Sequence, residues 1–174
     1  MVELAKQNYD ENKKIFETVE MNLRKKLGNI VPIDHVGSTA IPYINYGKNI
    51  IDIVIGAIDN QQFEEIKKNL ENEGFVPSQK SRDEIYQFFS SIAGETGSGD
   101  VHIHLVIMDT ERYNEFIVLR NYLLNNQDEA INYSNFKVEI LELGKTDRRE
   151  YKRVKSEYVF NLLNKAKIWG KNNQ

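Results

Sequence analysis

The segment Asn49-Ile50-Ile51-Asp52-Ile53-Val54-Ile55-Gly56-Ala57 carries a single charge, Asp52, inside an aliphatic run. A stretch that is apolar on both faces reads as a covered central strand, not as one with a wet side. A carboxylate in such a strand is costly to bury unless a cation, a metal or hydrogen-bond donors meet it. Just upstream stands His35-Val36-Gly37-Ser38-Thr39-Ala40-Ile41-Pro42, a strand end that runs into a small-residue turn. The backbone N–H groups and the two hydroxyls of Gly37, Ser38 and Thr39 suit a phosphate. A tight turn in which Ser38 or Thr39 caps a short helix would use the same residues for structure alone.

The rest of the chain arranges itself around this pair of segments. Residues 3–27 read as a helix, with Tyr9, Phe16, Val19, Leu23 and Leu27 on one stripe and Gly28 as its stop. A strand over 30–36 starts irregularly at Pro32. After the strand at 50–57, Asp59 caps a helix over 60–73 with Phe63, Ile66 and Leu70 inward, and Gly74 ends it. A short strand at 75–78 and a polar turn from Ser78 to Asp83 follow, then a strand over the Tyr- and Phe-rich 85–92. The loop from Gly94 to Asp100 joins it to a strand at 101–108, as in an antiparallel hairpin. Three helices are expected at 110–125, 127–143 and 147–169. Asn126 with Glu129, and Asp147 with Glu150, have capping spacing, and Gly170–Gln174 reads as a frayed tail. The order gives an α+β (mixed α/β) fold, a mixed sheet flanked by helices with a C-terminal run of helices.

At 174 residues the chain is long enough for one domain, residues 1–174, with a full core. It has no cysteine, which excludes disulfides and Cys-based zinc sites and makes a cytoplasmic setting the simplest expectation. The N-terminal MVELAKQNYDENKK is polar and acidic, unlike a signal peptide. With a mean hydropathy of −0.55, no membrane association is expected. A net charge of −3 argues against general nucleic-acid binding and leaves room for a local basic pocket.

Arg120 shares a helical face with Tyr113, Ile117 and Leu124. An arginine on an inward stripe needs a carboxylate or a phosphate. Contact with a nucleotide or acidic substrate is one reading, and a bridge to Asp52, Asp34 or another acid is the other.

The string HVGSTAIP, followed by Lys48 and IIDI, resembles the GrpB family, which is placed in the nucleotidyltransferase superfamily. The resemblance continues at His102-Ile103-His104-Leu105, at Leu119-Arg120-Asn121-Tyr122-Leu123, and through Tyr133 and Lys137 into the last helix. Asn49 stands where that family usually has proline, and Asn121 where it has aspartate. The resemblance implies a nucleotidyltransferase-like fold. It also implies a Gly-Ser turn that holds nucleotide phosphates and a strand carboxylate pair that holds a divalent ion. Such a pair sits at i and i+2, because those positions point the same way on a strand. Here the positions are Asp52 and Val54, so the second carboxylate is missing.

The neighbouring strand that would supply a third carboxylate presents His102 and His104 on one face, and His35 precedes Gly37. All three histidines are expected to converge near Asp52. They would be ligands of magnesium or manganese, with zinc less favoured, or hydrogen-bond partners that orient the turn. Imidazole ligands would shift preference toward manganese, zinc or iron. Lys48, Tyr133 and Lys137 match the family pattern and would add positive charge around an anion. Arg82 is a weaker candidate of the same kind. The functional expectation is metal-dependent transfer from a nucleoside triphosphate to a small acceptor, with Asp52 and Ser38 at the reacting centre. The alternative is a non-catalytic protein that binds a nucleotide or small anion on the same fold.

Overall fold

The computed structural model describes residues 1–28, 31–91 and 100–173. Its centre is a five-stranded mixed sheet in which β2 (Ile33–Val36), β4 (Ile51–Ala57), β7 (Val101–Ile107), β6 (Tyr86–Ser90) and β5 (Val76–Asp83) lie side by side in that order. Strands β4 and β7 run parallel and the other neighbours run antiparallel. A small ribbon pairs β1 (Ala5–Lys6) with β3 (Tyr46–Gly47). The predicted mixed sheet with a C-terminal helical run is the observed architecture.

The Asp52 strand is central because its aliphatic side chains fill both faces. On one face Ile51, Ile53, Ile55 and Ala57 pack against helices α1 (Tyr9–Leu27) and α2 (Asn60–Asn72) through Leu23, Phe63, Ile66 and Leu70. On the other, Val36, Val54 and Val106 meet Tyr113, Phe116 and Ile117 of α3 (Glu111–Asn125). Each such fully buried aliphatic side chain contributes about 1.5–3 kcal/mol. Behind α3, helices α4 (Gln127–Glu142) and α5 (Arg148–Asn172) close over the turn after β2, with Ala40, Ile41 and Ile44 packed on Tyr122, Leu123, Ala130, Tyr133 and Leu162. The turn is thereby held between the sheet edge and the helical layer.

Several local expectations change. The first helix begins only at Tyr9, because residues 5 and 6 pair with β3 instead. The polar stretch from Ser78 to Asp83 belongs to the edge strand β5, whose register with β6 shifts between Pro77 and Arg82. An edge strand with one free side tolerates that polarity. Asp59 does cap α2, accepting from the Gln62 N–H at 2.8 Å. Asp147 caps α5 through the Arg149 and Glu150 N–H groups. Asn126 does not cap α4, since its amide donates backwards to the Tyr122 carbonyl at 2.8 Å. Helix α5 runs on to Asn172, where a frayed tail is expected. Leu124, expected inward with Arg120, is exposed. Most of the Gly94–Asp100 loop lies outside the described residues. No helix among the described residues is long and apolar enough to cross a membrane.

Candidate anion site at the Gly37 turn

Strand register decides which side chains meet. Val36 pairs with Asp52, and Asp52 with His102; in the next row Asp34 pairs with Val54, and Val54 with His104. Paired residues on adjacent strands share a face. Asp34, Asp52, His102 and His104 therefore all point toward the α3–α5 side. Gly37 follows at the end of the first row. Its backbone, at φ +73° and ψ −167°, passes so close that a Cβ there would lie 2.5 Å from Asp52 Oδ2. Only glycine lets the chain turn directly over the carboxylate.

Asp52 Oδ1 lies 3.3 Å from His102 Nδ1 and 4.0 Å from His104 Nε2. Burial alone would push the Asp52 carboxyl upward. The hydrogen bond from His102 and the electrostatic influence of His104, His102 and Lys155 more than offset this, and its titration lies below the usual carboxylate range. His104 is pushed down to about 4 by burial, against the opposing pull of Asp52, so its ring is neutral at pH 7. Its Nδ1 meets the Tyr86 hydroxyl at 2.9 Å. The phenol, whose own titration burial raises to about 12, serves as donor to that nitrogen, which leaves the Nε2–H facing Asp52.

The third histidine does not join them. His35 pairs with Ile53, on the opposite face of the sheet, and stacks on Phe16 of α1 with ring centroids 4.6 Å apart. Its Nε2 meets Thr39 Oγ1 at 3.0 Å, while that hydroxyl donates to the Ile50 carbonyl at 3.1 Å. Burial lowers His35 to about 4. The geometry thus makes His35 and Thr39 a brace under the turn. The Thr39 side chain is already engaged there, and the residue is 1% exposed.

Positive charge gathers above the turn. Lys137 on α4 is 2% exposed, and its Nζ donates to Ser38 Oγ at 3.1 Å. The same Nζ lies 4.9 Å from the centre of the Tyr133 ring. Burial, with Lys155 as a second cause, brings Lys137 down to about 7, and no carboxylate is among its influences. Lys155 on α5 is held above the ordinary lysine value by the Tyr133 phenol oxygen, against burial, with Asp52 and Tyr151 adding to the effect. Lys48 lies 5.9 Å from the Tyr151 ring centre and is lowered by burial and by Arg148, Lys155 and Lys152. Gly47 leaves room for the Lys137 ammonium, which a Cβ there would approach to 3.3 Å. Lys155 has a sequence signal that its polarity hides: it stands four residues after Tyr151 and three before Tyr158, on the inward stripe of α5.

Arg120 takes the carboxylate alternative. Its Nη1 meets Asp34 Oδ1 at 2.7 Å and its Nε donates to Asn121 Oδ1 at 3.0 Å. The Tyr113 hydroxyl reaches the other Asp34 oxygen at 3.4 Å. This group lies one row from Asp52 on the same face.

Val54, at i+2 from Asp52, is 0% exposed and packs in the core with Val36 and Val106. Among the described residues, no three His, Asp or Glu side chains are spaced to hold a metal ion. The donors at hand are one carboxylate and two imidazoles. That set does not fit a magnesium site, which calls for several hard oxygen ligands.

The family described as "GrpB protein" matches residues 2–165. The chain belongs to the GrpB family. Among curated relatives, the Pseudomonas aeruginosa UPF0157 protein PA4798 is 30% identical over 134 residues, which are 77% of this chain and 54% of that protein. The chain thus spans about half the length of that relative. The glutamate-rich protein GrpB of Alkalihalophilus pseudofirmus is 27% identical over 91% of this chain and 88% of its own. In three dimensions, the crystal structure of GrpB from Enterococcus faecalis matches with a TM-score of 0.79 and 19% identity, covering 96% of this chain and 99% of that one. The Cid1 poly(U) polymerase, in a structure described as MgGTP bound, matches with a TM-score of 0.51 and 12% identity over 76% of this chain and 43% of its own. This GrpB-family chain therefore has a nucleotidyltransferase-like fold.

Proposed function

We propose that this chain binds the phosphate chain of a nucleotide in the cradle formed by Gly37, Ser38, Lys48, Lys137 and Lys155. The observation that carries this reading is Lys137, an amine 2% exposed whose hydrogen-bond partner is the Ser38 hydroxyl and which, among the described residues, has no carboxylate among its electrostatic influences. A buried ammonium without a counter-charge is costly. A phosphate would supply that counter-charge and accept from the Ser38 hydroxyl and the turn N–H groups together. Lys155 and Lys48 lie close enough to influence one another and Asp52, so one polyphosphate could span them. Tyr133 and Tyr151 supply ring faces and hydroxyls around the amines.

Transfer of the nucleotidyl group to a small acceptor is the second reading. It is favoured by Asp52, held anionic under the turn, and by the fold shared with the Cid1 polymerase. In that reading Ser38 orients phosphates at the reacting centre, and Asp52, His102 and His104 are the side chains nearest a divalent ion. Binding ranks ahead, because Val54 replaces the second carboxylate and lies in the core.

Thermal unfolding tests both readings. Wild type, Lys137→Met and Asp52→Asn would be heated with ATP, GTP, CTP or UTP, each with magnesium, manganese, zinc or chelator. A ligand that binds only the folded chain stabilises it by about 2.7 kcal/mol at a hundredfold excess over its Kd. Stabilisation by a nucleotide in wild type, lost in Lys137→Met, is the expected result. Stabilisation that also requires a metal and Asp52 would favour transfer. No shift in any mixture would overturn both.

A further inference from the structure

Where the fold's carboxylates would hold a metal, this chain sets an aspartate against a histidine. We propose that His102, oriented by Asp52, is the proton acceptor for a hydroxyl or water that attacks a nucleoside triphosphate held in the Gly37–Lys137 cradle. The inference rests on the nucleotide-binding reading and adds a reaction to it.

The geometry has three parts. First, His102 Nδ1 lies 3.3 Å from Asp52 Oδ1, so the carboxylate fixes the proton on Nδ1 and leaves Nε2 as the basic nitrogen. Second, the ring is held by the Phe88 side chain at a centroid distance of 4.9 Å, edge to face, while 21% of the side chain stays exposed. Among the described residues Nε2 has no hydrogen-bond partner, and it is free to meet a substrate. Third, Val36, Asp52 and His102 lie along one row of the sheet, across adjacent strands about 4.8 Å apart, and Gly37 follows Val36 and passes directly over the Asp52 carboxylate. A phosphorus held over Asp52 by the turn and the lysines would sit between the cradle and His102.

His104 cannot do the same work. Its Nδ1 is taken by Tyr86 and its Nε2 faces Asp52 from 4.0 Å. His104 instead limits the freedom of the carboxylate, and Tyr86 limits that of His104. Asp52 and Tyr86 are positioning residues in this scheme.

The step balances as follows. The attacking oxygen loses its proton to His102 Nε2 and forms a bond to the α-phosphorus. The bond from that phosphorus to the bridging oxygen of the β-phosphate breaks, and the electron pair leaves with pyrophosphate. Lys137 and Lys155 neutralise the charge that collects on the leaving group. The imidazolium then returns its proton to solvent.

Water serves as the acceptor in the test. Wild type, His102→Gln and His104→Gln would be incubated with each of the four ribonucleoside triphosphates, with chelator and with manganese, and pyrophosphate release followed from pH 5 to 9. Nucleotide affinity would be measured in parallel by calorimetry. The expected result is release by wild type, a loss of about 10²–10⁴-fold in His102→Gln, and affinity within twofold of wild type. Binding without release by wild type, or release by His102→Gln at the wild-type rate, overturns the proton-acceptor role and leaves nucleotide binding standing. Absence of binding by wild type overturns both. NMR of the imidazole nitrogens gives a readout that needs neither turnover nor a variant. A proton on Nδ1 of His102, with Nε2 bare, is expected, and the reverse tautomer contradicts the proposal.

Discussion

Lys137 Nζ donates to Ser38 Oγ at 3.1 Å, across 99 positions of sequence, and joins the helical layer to the turn at the sheet edge. The contact is unusual for stability, because it buries an amine with a neutral partner. It reads as a site held ready for an anion.

Lys137→Met should make the unliganded chain more stable. Replacing a buried, poorly compensated charge by an apolar side chain of similar length is worth about 1–4 kcal/mol. The gain should shrink above pH 7. The folded amine titrates near 7 and the unfolded one near 10.5, so the unfolded chain holds the extra proton between these values. Stability of wild type therefore rises with pH across that window, while Lys137→Met should be flat there. Urea unfolding at pH 6 and pH 9 measures the difference.

Gly37→Ala should destabilise the chain by about 1–3 kcal/mol, because it forces a side chain into a backbone region that is almost exclusive to glycine. Its Cβ would also meet Asp52 Oδ2 at 2.5 Å. Nucleotide-dependent stabilisation should disappear with it. Chemical denaturation with and without nucleotide separates the two effects.

Acid should unfold the protein partly through its buried histidines. His104 and His35 titrate near 4 in the folded chain and near 6.5 when exposed. Their contribution is fully present above 6.5 and is lost as pH falls from there toward 4. His104→Gln should flatten the stability–pH curve in that window and leave it unchanged between pH 7 and 8. Melting curves from pH 4 to 8 check this.

Arg120→Met should lower stability and spare ligand binding. The guanidinium is engaged by Asp34 at 2.7 Å and by Asn121, with side chains 20% and 30% exposed for the ion pair. At that partial burial the loss should be about 1–2 kcal/mol. Nucleotide affinity should stay within twofold. A tenfold loss of affinity with unchanged stability would return Arg120 to the ligand site.

Much of this was legible in the chain itself. The aliphatic run around Asp52 announces a central strand, because few other structures absorb that many branched residues in sequence. Gly37-Ser38, Asp52, His102, His104, Tyr133 and Lys137 do come together. His35 departs from its expected place because proximity in sequence to Gly37 says nothing about sheet face, and a one-residue offset turns a side chain to the other side. Lys155 was hidden because a lysine on a helix normally marks solvent, and only its spacing from Tyr151 and Tyr158 reveals the inward stripe. The sequence shows only the start of the edge strand, at 75–78, and its continuation to Asp83 is hidden for a related reason: the polar residues answer to solvent on the free edge, so hydrophobic alternation is absent.

The most direct test of the phosphate cradle is a calorimetric titration of nucleotide into wild type and Lys137→Met at pH 8, in Tris and in HEPES. These buffers differ in ionisation heat, so the comparison counts protons. The Lys137 amine is mostly neutral at that pH and must gain a proton to pair with phosphate. Binding with uptake of close to one proton, weakened at least tenfold and without uptake in Lys137→Met, is the predicted result. Equal affinity and equal proton count in the two proteins, or no binding by wild type, would contradict the account.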